Sequence, residues 1–135
     1  QFEELFPNIK INQYKSLREA KKHIVKNILT PFRETDSSLK GKDCVLLVES
    51  TFLQGTHKGD EDLRELLIIK DVEELVEENL RETTNKLRYT SILKYKGLES
   101  KNVFLVVSDP SELNKYELFV GITRAILNLE INIVN

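Results

Sequence analysis

Methionine is missing from all 135 residues, and there is one cysteine. Without an initiator, and opening abruptly on Gln1-Phe2-Glu3-Glu4-Leu5, the chain is expected to be a piece of a longer polypeptide. The lone Cys44 lies in an apolar run and has no partner for an intramolecular disulfide, which fits a reducing cytoplasm. No apolar stretch approaches the ~20 residues of a membrane span, and no charged-then-apolar leader opens the chain. A cytoplasmic protein with no membrane contact is therefore expected. Nowhere does the sequence read glycine, four residues, glycine-lysine and then serine or threonine, the loop that cradles phosphates. Nor does any strand end in the paired acidic residues that would hold Mg²⁺. Alone, the chain is not expected to hydrolyse ATP.

What is present is an ordinary globular composition, 40% hydrophobic and 31% charged. A domain of this length buries roughly two-thirds of the surface its unfolded chain exposes. A net charge of −2 argues against a nucleic-acid surface spread over the whole domain. The charge is uneven, however: residues 10–42 and 81–101 are rich in lysine and arginine, and 60–82 are acidic. A local basic patch remains compatible with that distribution. No internal repeat or low-complexity segment is present.

In chain order, Ile9 to Tyr14 alternates like a half-exposed strand, and Ser16-Leu17-Arg18-Glu19 has capping-box spacing. A helix is predicted from there, with Leu17, Ala20, Ile24, Val25 and Ile28 on its apolar stripe, until Pro31 ends it. His23 falls in this helix and His57 in a later loop; neither has neighbours in sequence that suggest a metal or catalytic role. Residues 33–42 read as a loop. Cys44-Val45-Leu46-Leu47-Val48 and Asn102 to Val107 are continuous aliphatic runs, the mark of strands buried on both faces of a parallel sheet. Between them, Leu63, Leu66 and Leu67 predict one helix. Asp71-Val72-Glu73-Glu74 predicts a second, with Val72, Leu75, Val76 and Leu80 inward. Leu87 to Leu93 predicts a strand. A last helix from Leu113 carries Tyr116, Val120, Thr123 and Leu127 on one face. Glu117 and Arg124, seven apart, are expected to look toward the same sheet edge. Leu129, Ile131 and Ile133 alternate as in an outer strand. The sum is an α/β fold: a three-layer, open, mostly parallel sheet with helices on both faces.

Two stretches put charge where structure alone does not require it. In Tyr89 to Glu99, Lys96-Gly97-Leu98-Glu99 follows a strand, and Gly97 marks a backbone site that wants positive φ or close approach. In Phe119 to Ala125, Gly121 sits inside a helical pattern at a cost of about 1 kcal/mol against alanine, so something is expected to pack close there. These stretches resemble motifs V and VI of the C-terminal RecA-like motor domain of superfamily 1 DNA helicases of the UvrD/Rep type. The resemblance is good over residues 87–134 and loose over the rest. It implies one domain spanning residues 1–135, P-loop NTPase-like but lacking the P-loop.

The resemblance also implies roles. Arg124 would reach across a cleft to the γ-phosphate of ATP as a catalytic finger. Glu99 would approach the ribose, and Gly97 would let backbone come close to the nucleotide. Ser91, which matches a motif V threonine, and Lys94 would contact single-stranded DNA. The cofactors would be ATP and Mg²⁺, bound mainly by an N-terminal RecA-like domain that is the expected partner. Three departures stand against this. Glu49 occupies the apparent place of a phosphate-reaching arginine, Leu93 replaces a common histidine, and the segment before Leu87 is too short for the family's extra subdomain. A non-catalytic helicase-like module for protein or nucleic-acid contacts is the second reading, and an unrelated small α/β binding domain the third. For Arg124 the plain structural alternative is a surface ion pair with Glu117 or Glu130.

Overall fold

The computed structural model describes residues 7–33, 43–54, 63–82, 86–109 and 114–135, with the side chains of 32 and 33 left aside. Six parallel strands form one sheet in the order β1-β6-β5-β2-β4-β3. They span Asn8–Tyr14 (β1), Cys44–Val48 (β2), Glu73–Glu74 (β3), Arg88–Ser91 (β4), Ser100–Ser108 (β5) and Ala125–Val134 (β6). All five residues of β2 are buried, as its unbroken aliphatic run predicts for a central parallel strand.

The pleat sorts the two faces. Cys44, Leu46, Val48, Tyr89 and Val106 point to one side and pack with Leu17, Ala20, Ile24, Ile28, Leu63 and Leu67. These come from helix α1 (Leu17–His23), its π-helical continuation Ile24–Leu29, and helix α3 (Leu63–Ile69), which follows the short α2 (Thr30–Arg33). Val45, Leu47, Val103, Leu105, Val107, Leu129 and Ile131 point the other way, against Ile92, Tyr95 and Val120, the last from helix α4 (Lys115–Ile122). Each fully buried Leu, Ile or Val contributes about 1.5–3 kcal/mol of transfer free energy. The three-layer α/β architecture is thus the predicted one.

Local chemistry explains most boundaries. Ser16 accepts the Glu19 N–H at 3.3 Å, and the Glu19 carboxylate accepts from Lys15 N–H at 3.1 Å, so α1 starts where the capping spacing places it. Helical backbone does not end at Pro31 but runs on to Arg33. The wide π turns before it, where Thr30 N–H and Oγ1 both bond Val25 O, loosen the register that a proline ring would otherwise clash with.

The predicted helix from Asp71 is wrong. Asp71 has φ +56°, its N–H bonds Ile68 O and the Val72 N–H bonds Leu67 O. That is a Schellman closure of α3, with Asp71 in the left-handed place usually taken by glycine. The acidic residues after it form β3 and a 3₁₀ turn at Glu77–Asn79. Two other expectations change. Strand β6 is interior, lying between β1 and β5, so β1 is the edge on that side. The strand at Leu87 ends at Ser91 and gives way to a 3₁₀ turn, Leu93–Tyr95. The expected helix start at Leu113, the loop at 34–42 and His57 lie outside the described residues.

Candidate functional site

In a parallel sheet every strand starts at one edge and ends at the other, so residues flanking the strands fall into two groups. Glu99 directly precedes β5 and Arg124 directly precedes β6. Ser100 N–H bonds Arg124 O at 3.0 Å, which fixes the two segments side by side at the amino edge. The Arg124 guanidinium is held by its own helix end. Nε donates to Val120 O at 3.2 Å, Nη1 to Leu98 O at 3.4 Å and Nη2 to Thr123 Oγ1 at 2.9 Å. Among the described residues it has no carboxylate partner; Glu130 is taken by His23 Nε2 at 3.2 Å. The surface ion-pair alternative is therefore not what the side chain adopts.

Gly97 has φ +91°, and among the described residues nothing lies within 4 Å of where a Cβ would stand, so the turn before Glu99 needs glycine for its backbone rather than for close packing. At Gly121 the reverse holds. A Cβ there would lie 2.7 Å from Leu105 Cδ2, so the glycine is what lets α4 lie close on β5. Tyr95 ties the turn together. It is buried, and its hydroxyl donates to Glu99 O at 3.1 Å. Burial pushes the phenol above its ordinary pKa, opposed by the Arg88 charge, a hydrogen bond with Ser100 and the Arg124 charge, with the negative charge of Glu99 adding to the rise. Nothing in the sequence stretch singled Tyr95 out; its spacing from Glu99 is the only local signal.

At the carboxyl edge the picture differs. Ser91 ends β4, buried, and its Oγ accepts the Lys94 N–H at 3.4 Å, capping the 3₁₀ turn. Lys94 and Leu93 are exposed beside it. Glu49, at the end of β2, does not face outward. Its carboxylate accepts from Ser108 Oγ at 2.8 Å, Ser108 N–H at 3.3 Å, Asn114 Nδ2 at 2.9 Å and the Thr51 hydroxyl. Burial alone would raise its pKa, but these donors outweigh burial and hold it below the ordinary carboxylate value. Glu117 belongs to the same neighbourhood. Desolvation and then the Glu49 charge push its pKa up, against a hydrogen bond from the Ser50 backbone, and its Oε2 is buried with no partner among the described residues. Glu117 and Arg124 are thus at opposite ends of α4, because the helix runs back across the sheet; the expectation of a shared edge is corrected.

No protein-family model matches the chain, and no curated protein matches it by sequence. Among solved structures it is similar to the C-terminal domain of a possible DNA helicase from Lactobacillus plantarum WCFS1. The TM-score is 0.61 and the identity 13%, over 96% of this chain and 74% of that one. The chain shares the α/β fold of that domain. Within this α/β fold, the residues singled out in the sequence divide cleanly: Gly97, Glu99 and Arg124 at the amino edge, Ser91 and Lys94 at the carboxyl end of β4. One stretch, Ser91 to Ser100, joins the two groups, with Tyr95 buried midway. The polar clamp of Glu49, Ser108 and Asn114 was not visible in sequence, since its members are 59 and 65 residues apart.

Proposed function

We propose that the chain is the C-terminal motor domain of an ATP-dependent superfamily 1 DNA helicase of the UvrD/Rep type. In this reading Arg124 and Glu99 complete an ATP site whose P-loop and Mg²⁺ ligands belong to an N-terminal RecA-like domain. Ser91 and Lys94 meet single-stranded DNA at the other edge. The observation that carries it is the Arg124 guanidinium, anchored by backbone carbonyls at a helix end and left without a carboxylate among the described residues. A cation prepared in this way has its charge available for another group. Phosphoryl transfer needs just that: positioning, and neutralisation of charge spreading over the γ-phosphoryl oxygens. The exposed Glu99 lies on the same edge, after a turn that requires Gly97. The stretch from Ser91 to Glu99 then gives a route by which nucleotide state at one edge shifts the strand contacts at the other.

The test uses the longer protein carrying the P-loop domain. Arg124→Ala is expected to leave ATP binding nearly unchanged and to lower DNA-stimulated turnover by on the order of 10³ to 10⁵, the worth of such a finger. Unchanged turnover would rule the role out. A second reading, a helicase-like module retained for interactions and without catalysis, draws on Glu49. That side chain is committed to an internal clamp where the family has a phosphate-reaching arginine. Such a module would show no loss on the same substitution.

A further inference from the structure

Beside the carboxyl-edge residues, on the α4 face of the sheet, a cleft opens between β4 and the segment that follows β3. One lobe, of about 320 Å³, is lined by Leu75, Val76, Leu80 and Leu98, together with Glu74, Glu77 and Lys94. A second lobe, of about 250 Å³, shares Leu75, Leu80, Tyr95 and Leu98 with the first and extends toward Arg88 and Glu99.

The segment 74–80 is built unusually for a surface turn. Its polar groups are spent internally: Asn79 Oδ1 accepts the Val76 N–H at 2.9 Å, and Asn79 Nδ2 donates to Glu74 O at 2.9 Å and Glu73 Oε1 at 3.2 Å. Arg88, itself buried, donates to Asn79 O, and Leu75 N–H bonds Tyr89 O at 2.8 Å. Two of the side chains left outside are apolar, Val76 41% and Leu80 36% exposed, beside the exposed Glu77 and Glu78. A turn held this firmly while presenting apolar side chains to water is pre-organised for a partner, because the ordering cost of binding has already been met in folding.

Charge decides the partner's chemistry. Residues 71–82 carry six carboxylates, at 71, 73, 74, 77, 78 and 82, against the single Arg81. A second copy of this edge would set like charges face to face, and for a polyanionic backbone the first lobe, with Glu74 and Glu77 against Lys94, is a poorer fit than for a basic segment. We infer that the cleft is a docking site for a polypeptide segment whose apolar side chains are interspersed with lysine or arginine. The apolar side chains enter over Leu75 and Leu98, and the cations meet Glu74 and Glu77. This proposal does not depend on the nucleotide role of Arg124.

The test is fluorescence anisotropy of the full chain with labelled short peptides: one of leucine and lysine, one with serine for leucine, and one with glutamate for lysine. The leucine–lysine peptide is expected to bind. Each of the other two should bind about tenfold more weakly or worse, since both apolar and charge contacts are required. The double variants Val76→Ser/Leu80→Ser and Glu74→Lys/Glu77→Lys should each weaken the leucine–lysine peptide to a similar degree. Circular dichroism checks their fold, and Glu77→Lys alone, at an exposed position, serves if a double variant is unstable. Equal binding of the lysine–serine peptide, indifference to the substitutions, no binding at all, or displacement of the peptide by oligothymidylate would each overturn the proposal.

Discussion

Glu49 and Glu117 are two carboxyl groups in one neighbourhood with opposite shifts, and hydrogen bonding separates them. Glu49 accepts from Ser108, Asn114 and Thr51 and is held ionised, while Glu117 leaves one oxygen buried with no partner among the described residues and is pushed toward the neutral form. A carboxyl whose folded pKa lies above its unfolded one is best tolerated when protonated. Its contribution is intact below the unfolded value and lost as pH rises through the folded value. Glu117→Gln is therefore expected to melt like the parent in acid and progressively higher as pH rises to neutrality. Thermal melts of both proteins across that range check it, and a constant gap would contradict the assignment. Glu49 has the reverse sign, its contribution being lost as pH falls through its lowered pKa. Neither shift was legible in sequence, because the partners come from β5 and the start of α4. Gly97, by contrast, was readable, since the positive φ that its turn demands is a purely local requirement.

Segment 71–80 shows how a whole element can be misread. Val72, Leu75, Val76 and Leu80 recur at helical spacing, yet Asp71 adopts the left-handed conformation that closes α3, and Glu73 and Glu74 pair with Arg88 and Tyr89 of β4. Spacing reports which side chains could share a helical face; it does not report that a neighbouring strand offers its edge first. The αL place of Asp71 makes a prediction at this scale. Asp71→Gly removes the Cβ strain and should stabilise the chain by roughly 0.5–1 kcal/mol, measured by urea denaturation. Its contact with Lys86, 3.4 Å apart and largely in water, adds little that would be lost. Helix α1 was legible for the opposite reason, because its cap and its stripe of Leu17, Ala20, Ile24 and Ile28 are written within one segment.

Taken as a molecule, the sheet is strongest in its middle. Strands β2 and β5 are covered on both faces, while β1 leaves Ile9 and Ile11 exposed at one side and β3 is two residues long at the other. Amide hydrogen exchange should accordingly protect β2 and β5 most, with openings near the global unfolding free energy, and β1 and β3 least. Comparable protection across all six strands would mean that the edges are stabilised by more than the described contacts. The sequence by itself determined the α/β class, the two central strands, the capped first helix and the two glycine positions. Each of those rests on periodicity, propensity or backbone sterics within a few residues. Only the tertiary structure decided that β6 lies inside the sheet, that Glu49 is an internal clamp, and that Glu117 and Arg124 sit at opposite edges. Strand order and side-chain partnership are set by contacts between segments far apart in the chain, where burial and hydrogen bonding choose among arrangements that local pattern leaves equivalent.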